Sequence, residues 1–201
     1  MKNTLLKQKI IGLCINGDYS IADLSKELNT SIPTTTKLVE ELIAEGSIEE
    51  MGKLDTNGGR RPSIYGLRAT AGYFVGTDVR RNSVSIAICD FKGHVVEYLD
   101  NLDFTVESSK ASFVNLCDLI IKHLGKCGID KHSVKAYGFN LSGRVNNETG
   151  YCFSYFIGED RPIASLLEEE LKAPVYIEND SRAMTYGEYI CGVANNEKQM
   201  L

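Results

Sequence analysis

Two groups of side chains in this 201-residue chain have the chemistry of binding sites. The first group is Arg60 and Arg61, which directly follow Gly58 and Gly59. Two adjacent guanidinium groups suit phosphate oxygens or a narrow minor groove of DNA, and the glycines permit a close backbone approach. This segment is therefore a candidate contact with nucleic acid. The alternative is that both arginines belong to an ordinary solvated turn.

The second group is the adjacent pair Asn179 and Asp180, at the predicted end of a strand. An amide offers both a donor and an acceptor to a hydroxyl group, and a carboxylate accepts a hydrogen bond or a proton from one. The pair is therefore a candidate site for a polyhydroxylated ligand. The alternative is that both residues cap a helix that begins at Ser181. One side chain is able to serve in both roles.

Apolar spacing predicts three helices in the N-terminal segment that precedes the arginines. The inward residues are Leu6, Ile10 and Leu13 in the first helix, and Ile21, Leu24 and Leu28 in the second. Ser20 and Asp23 have capping-box spacing at the start of the second helix. Ser31 is placed to cap a third helix that runs to about Glu45, with Pro33 in its first turn.

The third helix has the pattern of a DNA recognition helix. Its inward face is predicted to be Thr35, Leu38, Val39 and Leu42. Thr34, Thr36 and Lys37 then point outward from its N-terminal half, where recognition helices meet base edges and phosphates. An ordinary polar helix face is the alternative for the threonines. Two short strands, Ser47–Met51 and Ser63–Leu67, enclose the arginine segment as a wing, so residues 1–68 are predicted to form a winged helix-turn-helix domain.

Charge limits how this domain binds DNA. The chain has a net charge of −5, yet residues 1–68 contain nine basic and nine acidic residues. Affinity for DNA must therefore come from local groups, and a homodimer or higher oligomer that binds two half-sites is favoured over a tightly bound monomer. The expected partner is a double-stranded DNA operator.

Cysteine and histidine positions give no metal pattern. The six cysteines are scattered without a C-x-x-C motif, and the three histidines are isolated. We therefore expect reduced thiols and no metal site. The N-terminus lacks the apolar segment of a signal peptide, and no apolar run is long enough to span a bilayer. These features predict a cytoplasmic protein with no membrane partner.

From about Ala69 the pattern changes to an α/β arrangement. Three consecutive strands are followed by alternating helices and strands, which suggests one half of an actin-like, ribonuclease-H-like domain over residues 69–201. The predicted strands are Tyr73–Val79, Ser83–Asp90, His94–Asp103, Val134–Asn140 and Val175–Glu178. The predicted helices begin after Ser108 or Ser109, at about Pro162, and at about Ser181.

The chain as a whole resembles the ROK family, which groups sugar-responsive transcriptional repressors with sugar kinases. Five segments carry the resemblance: Leu38-Val39-Glu40-Glu41-Leu42, Gly59-Arg60-Arg61-Pro62, Gly76-Thr77-Asp78-Val79, Leu141-Ser142-Gly143-Arg144-Val145, and Val175-Tyr176-Ile177-Glu178-Asn179-Asp180. The resemblance implies that Asn179 and Asp180 contact sugar hydroxyls, and that Asp180 is the general base if the protein is a kinase. It also implies that Gly143 lies beside the sugar, with Ser142 in place of the family's proline.

Two departures from the family pattern bear on activity. ROK kinases carry Asp-x-Gly-Gly-Thr at the first hairpin, where the glycines let backbone N–H groups approach ATP phosphates. Here Arg80 and Arg81 replace these glycines, so we expect no kinase activity. The family's Asp-Ala-Asn is altered to Asp180-Ser181-Arg182. Arg182 then either forms a local salt bridge or binds an acidic or phosphorylated sugar.

The resemblance also implies a second half of the domain, with further sugar contacts and often a cysteine-rich zinc site. We therefore expect a fragment of a longer regulator, a truncated product being the alternative, and no cofactor within this chain. The predicted function is a DNA-binding repressor of carbohydrate metabolism genes, controlled by a sugar or sugar phosphate. A ROK-type sugar kinase with a DNA-binding module and a repressor that senses a protein partner are the alternatives.

Overall fold

The computed structural model describes residues 2–54, 61–107, 109–154 and 160–192. The chain divides into two compact units, Met1–Ala71 with Asp90–His94, and Gly72–Cys89 with Val95–Leu201. Each unit has its own hydrophobic core. The first unit thus includes a five-residue turn, Asp90–His94, from later in the chain.

The first unit contains three helices and a small antiparallel sheet. The helices are α1 (Lys2–Cys14), α2 (Ile21–Glu27) and α3 (Ile32–Ala44), and the strands are β1 (Tyr19–Ser20), β2 (Ile48–Lys53) and β3 (Ser63–Leu67). The sheet order is β1-β3-β2, with both pairings antiparallel. The three predicted helices and the two predicted strands are confirmed, whereas β1 was not predicted.

Side-chain caps fix where α2 and α3 begin. The Asp23 backbone N–H donates to Ser20 Oγ at 3.2 Å, and the Ser20 backbone N–H donates back to Asp23 Oδ2 at 3.2 Å. At α3 the Thr34 backbone N–H donates to Ser31 Oγ at 3.4 Å. Both caps agree with the sequence prediction, and the four residues predicted to face inward on α3 are all buried. The caps hold the N-terminal half of α3 at the surface of the unit.

The second unit is built on a five-stranded mixed sheet. Its strands are β4 (Tyr73–Val79), β5 (Ser83–Asp90), β6 (Val95–Asp103), β7 (Val134–Leu141) and β10 (Val175–Asn179), and its helices are α4 (Lys110–Lys126), α5 (Ile163–Leu171) and α6 (Asp180–Cys191). The sheet order is β10-β7-β4-β5-β6, in which β4, β7 and β10 run parallel and β5 and β6 pair antiparallel. This confirms the predicted α/β class. A separate two-stranded pair, β8 (Val145–Asn146) with β9 (Tyr151–Cys152), was not predicted.

The two faces of this sheet differ. On one face, Val75, Tyr137 and Ile177 are buried in the core with residues of α4 and α5. On the other face, Gly76, Gly138 and Tyr176 are neighbours across three strands, and the Tyr176 side chain is 68% exposed. The carboxyl ends of β4, β7 and β10 meet at one edge, which is where α/β sheets usually bind ligands.

Among the described helices, none combines the length and the apolar character that crossing a membrane requires.

Candidate functional site

A groove of about 840 Å³ lies on the first unit, between the starts of α2 and α3 and the strands β2 and β3. Its lining residues are Ser20, Ile21, Ala22, Ile32, Thr36, Lys53, Arg61, Pro62, Ser63 and Tyr65. Lys53 and Arg61 supply positive charge from the strand side, while α3 supplies Ile32 and Thr36. The groove therefore combines an apolar wall with basic groups.

The structure brings together part of the predicted DNA-binding set. Thr36 and Arg61 both line this groove. Thr34 and Lys37 are exposed on the same helix without lining the groove, and Arg60 lies outside the described residues. Sequence reasoning missed Ile32 and Lys53 as groove residues. The exposed isoleucine directly after the Ser31 cap was the available signal for Ile32.

The threonine hydroxyls of α3 are bonded within the helix. Thr36 Oγ1 donates to the Ile32 carbonyl at 2.9 Å, and Thr35 Oγ1 donates to the Ser31 carbonyl at 3.2 Å. The hydroxyls of Thr34 and Ser31 share one hydrogen bond at 2.8 Å. The single hydroxyl proton of Thr36 is therefore already donated and is not available to a base edge. Its oxygen is still able to accept a hydrogen bond.

A second candidate site lies in the second unit, where the loop after β7 meets the junction of β10 and α6. The Ser142 hydroxyl donates to Asp180 Oδ2 at 2.7 Å, and Asn179 Nδ2 donates to the Gly143 carbonyl at 2.9 Å. The predicted residues Gly143, Asn179 and Asp180 therefore come together. Ser142 supplies one of the two connecting hydrogen bonds.

Asn179 does cap helix α6, as the structural alternative required. Its Oδ1 accepts from the Arg182 backbone N–H at 3.2 Å, while its Nδ2 donates to the Gly143 carbonyl and to Asp180 Oδ1, the latter at 3.0 Å. Both ends of the amide are thus engaged at the helix start. A ligand hydroxyl at this position would meet an amide whose orientation is already fixed.

Hydrogen bonds stabilise the ionised form of Asp180. The hydrogen bond from Ser142 is the largest cause that lowers its carboxyl pKa below the ordinary value, and bonds from Ser181 and Asn179 act in the same direction. Partial burial opposes this shift. A carboxylate with a lowered pKa is a weaker general base, while its remaining lone pairs can still accept hydrogen bonds from hydroxyl groups.

Gly143 is required by both backbone conformation and space. Its φ is +93°, which favours glycine, and a Cβ built there would lie 2.1 Å from Ser154 Oγ. The Ser154 hydroxyl also accepts from the Arg144 backbone N–H at 2.9 Å. The loop after β7 is therefore closely packed beside Asn179.

The sequence left two roles open for Arg182, and the structure shows the local one. Arg182 Nε donates to Glu178 Oε1 at 2.7 Å, and its Nη2 donates to the Val145 carbonyl at 3.1 Å. The other oxygen of Glu178 accepts from Asn147 Nδ2 at 2.6 Å. Asn147 was not identified from the sequence, because nothing local to it indicates contact with a residue 31 positions away.

A cleft of about 270 Å³ adjoins this network. It is lined by Gly138, Phe139, Asn140, Asn147, Tyr176, Ile177 and Glu178. Its amide and carboxylate groups can exchange hydrogen bonds with hydroxyl groups, and Tyr176 offers an aromatic surface. Across the part of the chain that is described, no group of three or more His, Cys, Asp or Glu side chains is arranged to hold a metal ion.

The first hairpin of the second unit carries Arg80 and Arg81 between β4 and β5. Arg80 Nε donates to Asp78 Oδ2 at 2.9 Å, and the Arg80 backbone N–H donates to the Ser83 carbonyl at 2.9 Å. The Asp78 carboxylate is thus paired with a cation from its own turn. This local ion pair occupies the end of β4.

No protein-family model matches the chain. The chain is 27% identical over 194 residues to a xylose repressor from Caldicellulosiruptor bescii, an alignment that covers 92% of this chain and 48% of that protein. It is also 27% identical over 131 residues to a glucokinase from Halalkalibacterium halodurans, covering 64% of this chain and 40% of the kinase.

One solved structure superimposes on this chain with a TM-score of 0.64 and 22% identity. It is described as a ROK family transcriptional regulator, a homologue of the Escherichia coli Mlc protein. The superposition covers 85% of this chain and 43% of the regulator. The chain therefore shares the fold of a ROK family regulator and is similar in sequence to a repressor and, over a shorter stretch, to a sugar kinase. It spans about half the length of the curated relatives it matches.

Proposed function

We propose that this chain belongs to a DNA-binding transcriptional repressor of carbohydrate metabolism genes, in which a sugar or sugar phosphate controls DNA binding. The observation that carries the proposal is the groove of the first unit, where Lys53 and Arg61 face the N-terminal half of α3. The similarity to a xylose repressor supports the same assignment.

In this proposal the first unit is a winged helix-turn-helix domain. Helix α3 enters the major groove, and Thr34, Thr36 and Lys37 lie on or beside its DNA-facing surface. Lys53 and Arg61 contact phosphates from the wing, together with Arg60. Because residues 1–68 carry balanced charge, two such domains in a homodimer bind two half-sites.

The second unit holds part of the effector site. Asp180 and the remaining lone pair of Asn179 Oδ1 accept from ligand hydroxyls beside Gly143, and internal hydrogen bonds orient both side chains before the ligand arrives. Since a relative is a xylose repressor, pentoses and their phosphates are the first effectors to test. The effector controls DNA binding only if it has different affinities for the DNA-competent and DNA-incompetent forms of the dimer.

A sugar kinase is the second candidate function, and the similarity to a glucokinase supports it. One observation favours the repressor over the kinase. The Asp78 carboxylate is paired with Arg80 at the turn where ROK kinases have glycines.

The deciding experiment is a titration of a duplex library with this chain and with the full-length gene product, followed by fluorescence anisotropy, with and without xylose, glucose and their phosphates. We expect salt-dependent duplex binding that one sugar or sugar phosphate weakens, and no transfer of phosphate from ATP to any of the sugars. ATP-dependent phosphorylation would establish the kinase instead, and DNA binding that none of the ligands alters would favour a repressor that senses a protein partner.

A further inference from the structure

Ile32 is the first residue of α3, and its side chain is 50% exposed while it lines the groove of the first unit. The core of this unit already contains the apolar residues of α3 that point inward. Ile32 is therefore not needed to complete that core. An exposed apolar side chain beside basic groups fits a partner that is partly apolar and also anionic.

Thr36 lies one helical turn after Ile32, so both residues share one face of α3. Its hydroxyl proton is directed to the Ile32 carbonyl at 2.9 Å. The part of α3 that faces the groove is consequently short of hydrogen-bond donors. Lys53 and Arg61 supply the donors and the positive charge from the opposite wall.

Duplex DNA matches this division into an apolar wall and a basic wall. In the major groove, the C5-methyl group of thymine is the one apolar group that the four bases present to a protein. Phosphates on either side of the base edges would meet Lys53 and Arg61.

From this geometry, and resting on the proposed function, we infer that Ile32 contacts the C5-methyl group of a thymine in the major groove. Ile32 is thus a residue that specifies the DNA sequence, with Thr36 contributing to the same contact. It selects thymine over cytosine by packing against the methyl group rather than by donating a hydrogen bond. This is distinct from the charged contacts, which do not depend on sequence.

The test begins with the tightest duplex that the chain selects from a random-sequence library. Each thymine of that duplex is then replaced by deoxyuridine, which removes only the C5-methyl group. We expect about a fourfold loss of affinity at one thymine of each half-site, the amount expected for one buried methyl group. The Ile32→Ala variant should bind the thymine and deoxyuridine duplexes equally at that position, and Ile32→Val should retain part of the difference.

Ile43→Ala is the matched control, because Ile43 is also exposed on α3, at 39%, and does not line the groove. It should keep the full thymine preference, and the slope of affinity against salt should be unchanged in both alanine variants. Wild-type protein that is indifferent to every deoxyuridine would overturn the inference. An Ile32→Ala variant that still prefers thymine over deoxyuridine would also overturn the inference. A variant that changes only the oligomeric mass would overturn it too, because that result would indicate that Ile32 contacts another protein chain. Failure to bind any duplex in a salt-dependent manner would overturn the proposed function itself.

Discussion

The hydroxyl of Ser142 donates a 2.7 Å hydrogen bond to Asp180, a residue 38 positions later in the chain. The bond joins the loop after β7 to the first residue of α6, and it lowers the pKa of the Asp180 carboxyl. The bond therefore stabilises the charged form of a carboxylate in the candidate ligand site.

Replacement of Ser142 should change the titration of Asp180. Ser142→Ala removes the largest cause of the lowered pKa, so the pKa should rise toward its ordinary value of 3.8. A group with a lowered pKa in the folded state contributes stability above its unfolded pKa, and this contribution is lost as the pH falls through the folded pKa. Ser142→Ala should therefore be less stable than wild type at pH 7 by about 1 kcal/mol. The difference should shrink as the pH falls below 3.8 and vanish once the pH is below the lowered pKa of the folded protein.

The measurement is carbon-13 NMR of the Asp180 carboxyl during a pH titration, together with urea unfolding at pH 7. Thr185→Ala is the control, because its hydroxyl donates to the Ser181 carbonyl within α6 and does not touch Asp180. An unchanged Asp180 titration in Ser142→Ala would contradict the assignment.

Replacement of Gly143 should be costly for two separable reasons. Gly143→Ala places a Cβ in a backbone conformation with φ of +93° and within 2.1 Å of Ser154 Oγ. We expect a loss of about 2–3 kcal/mol in the free energy of unfolding. Gly93→Ala is the matched control, since Gly93 has φ of +85° with no atom within 4 Å of the added Cβ, and it should lose only about 1 kcal/mol. Equal losses in the two variants would show that the contact with Ser154 is unimportant.

Two buried hydroxyls in the second unit should be dispensable. Within the described part of the chain, Thr77 Oγ1 and the Tyr137 hydroxyl are buried and have no hydrogen-bond partner. Because an unpaired buried hydroxyl costs free energy, Tyr137→Phe and Thr77→Val should each raise the free energy of unfolding, by about 1 kcal/mol. Tyr176→Phe, at a side chain that is 68% exposed, should have little effect. Urea unfolding at pH 7 measures all three variants, and a clear loss of stability in Tyr137→Phe would indicate a hydrogen bond to that hydroxyl.

The same tyrosine should make stability depend on alkaline pH. Burial raises the pKa of Tyr137 from 10 to about 12. Below pH 10 the phenol is neutral in both the folded and the unfolded protein, so its ionisation does not affect stability. As the pH rises from 10 toward 12, the phenol ionises first in the unfolded protein, and the free energy of unfolding falls. Wild type should therefore lose more stability than Tyr137→Phe between pH 10 and 12, as measured by the urea midpoint at each pH. Parallel curves for the two proteins would contradict this assignment.

The groove cations should determine how salt affects DNA binding. Lys53→Ala and Arg61→Ala should each weaken binding and flatten the slope of log affinity against log salt by about 0.9, the value for one phosphate contact. The proposal predicts the same result for Arg60→Ala. Lys126→Ala, at the end of α4 in the other unit, is the control and should leave the slope unchanged. Anisotropy titrations at several salt concentrations provide the measurement, and an unaltered slope in all three variants would place the DNA elsewhere.

Asn179 allows its capping role to be separated from its ligand role. Asn179→Asp retains an acceptor that is well suited to a helix N-terminus, so α6 should remain folded. The variant loses the amide donor to Gly143 and adds a second carboxylate beside Asp180. Sugar affinity should fall by at least about tenfold, because the Gly143 loop loses its hydrogen bond to the helix start and two adjacent carboxylates repel each other beside the ligand. Calorimetry measures the affinity, circular dichroism checks the helix content, and normal sugar binding would show that Asn179 is a cap alone.

Local patterns predicted most elements of this fold, whereas contacts between distant residues were not predictable. The capping residues Ser20 and Ser31 act within three residues of their partners, so their spacing is visible in the sequence. The two-residue strand β1 is too short to show any periodicity, and it exists because β3 pairs with it.

In the candidate sites, too, features set by neighbouring residues were predictable, whereas contacts between distant residues were not. The sequence identified Asn179 and Asp180, but the bond from Ser142 depends on two loops that the sheet brings together. It also identified Thr34 and Thr36 as outward side chains without indicating that their hydroxyls bond within the helix. Thr36 and Arg61 share a groove because α3 and the strand hairpin pack on one core.

The turn Asp90–His94 has a practical consequence for dissecting the molecule. The backbone passes between the two units three times, after Ala71, Cys89 and His94. The Phe91 side chain packs against the core of the first unit, and its backbone N–H donates to the Ala69 carbonyl at 3.0 Å. An excised 1–71 peptide would therefore lack an aromatic ring that the intact unit uses. Its melting temperature and DNA affinity would underestimate those of the parent protein, and a single protease cut after Ala71 would nick the chain without releasing the unit intact.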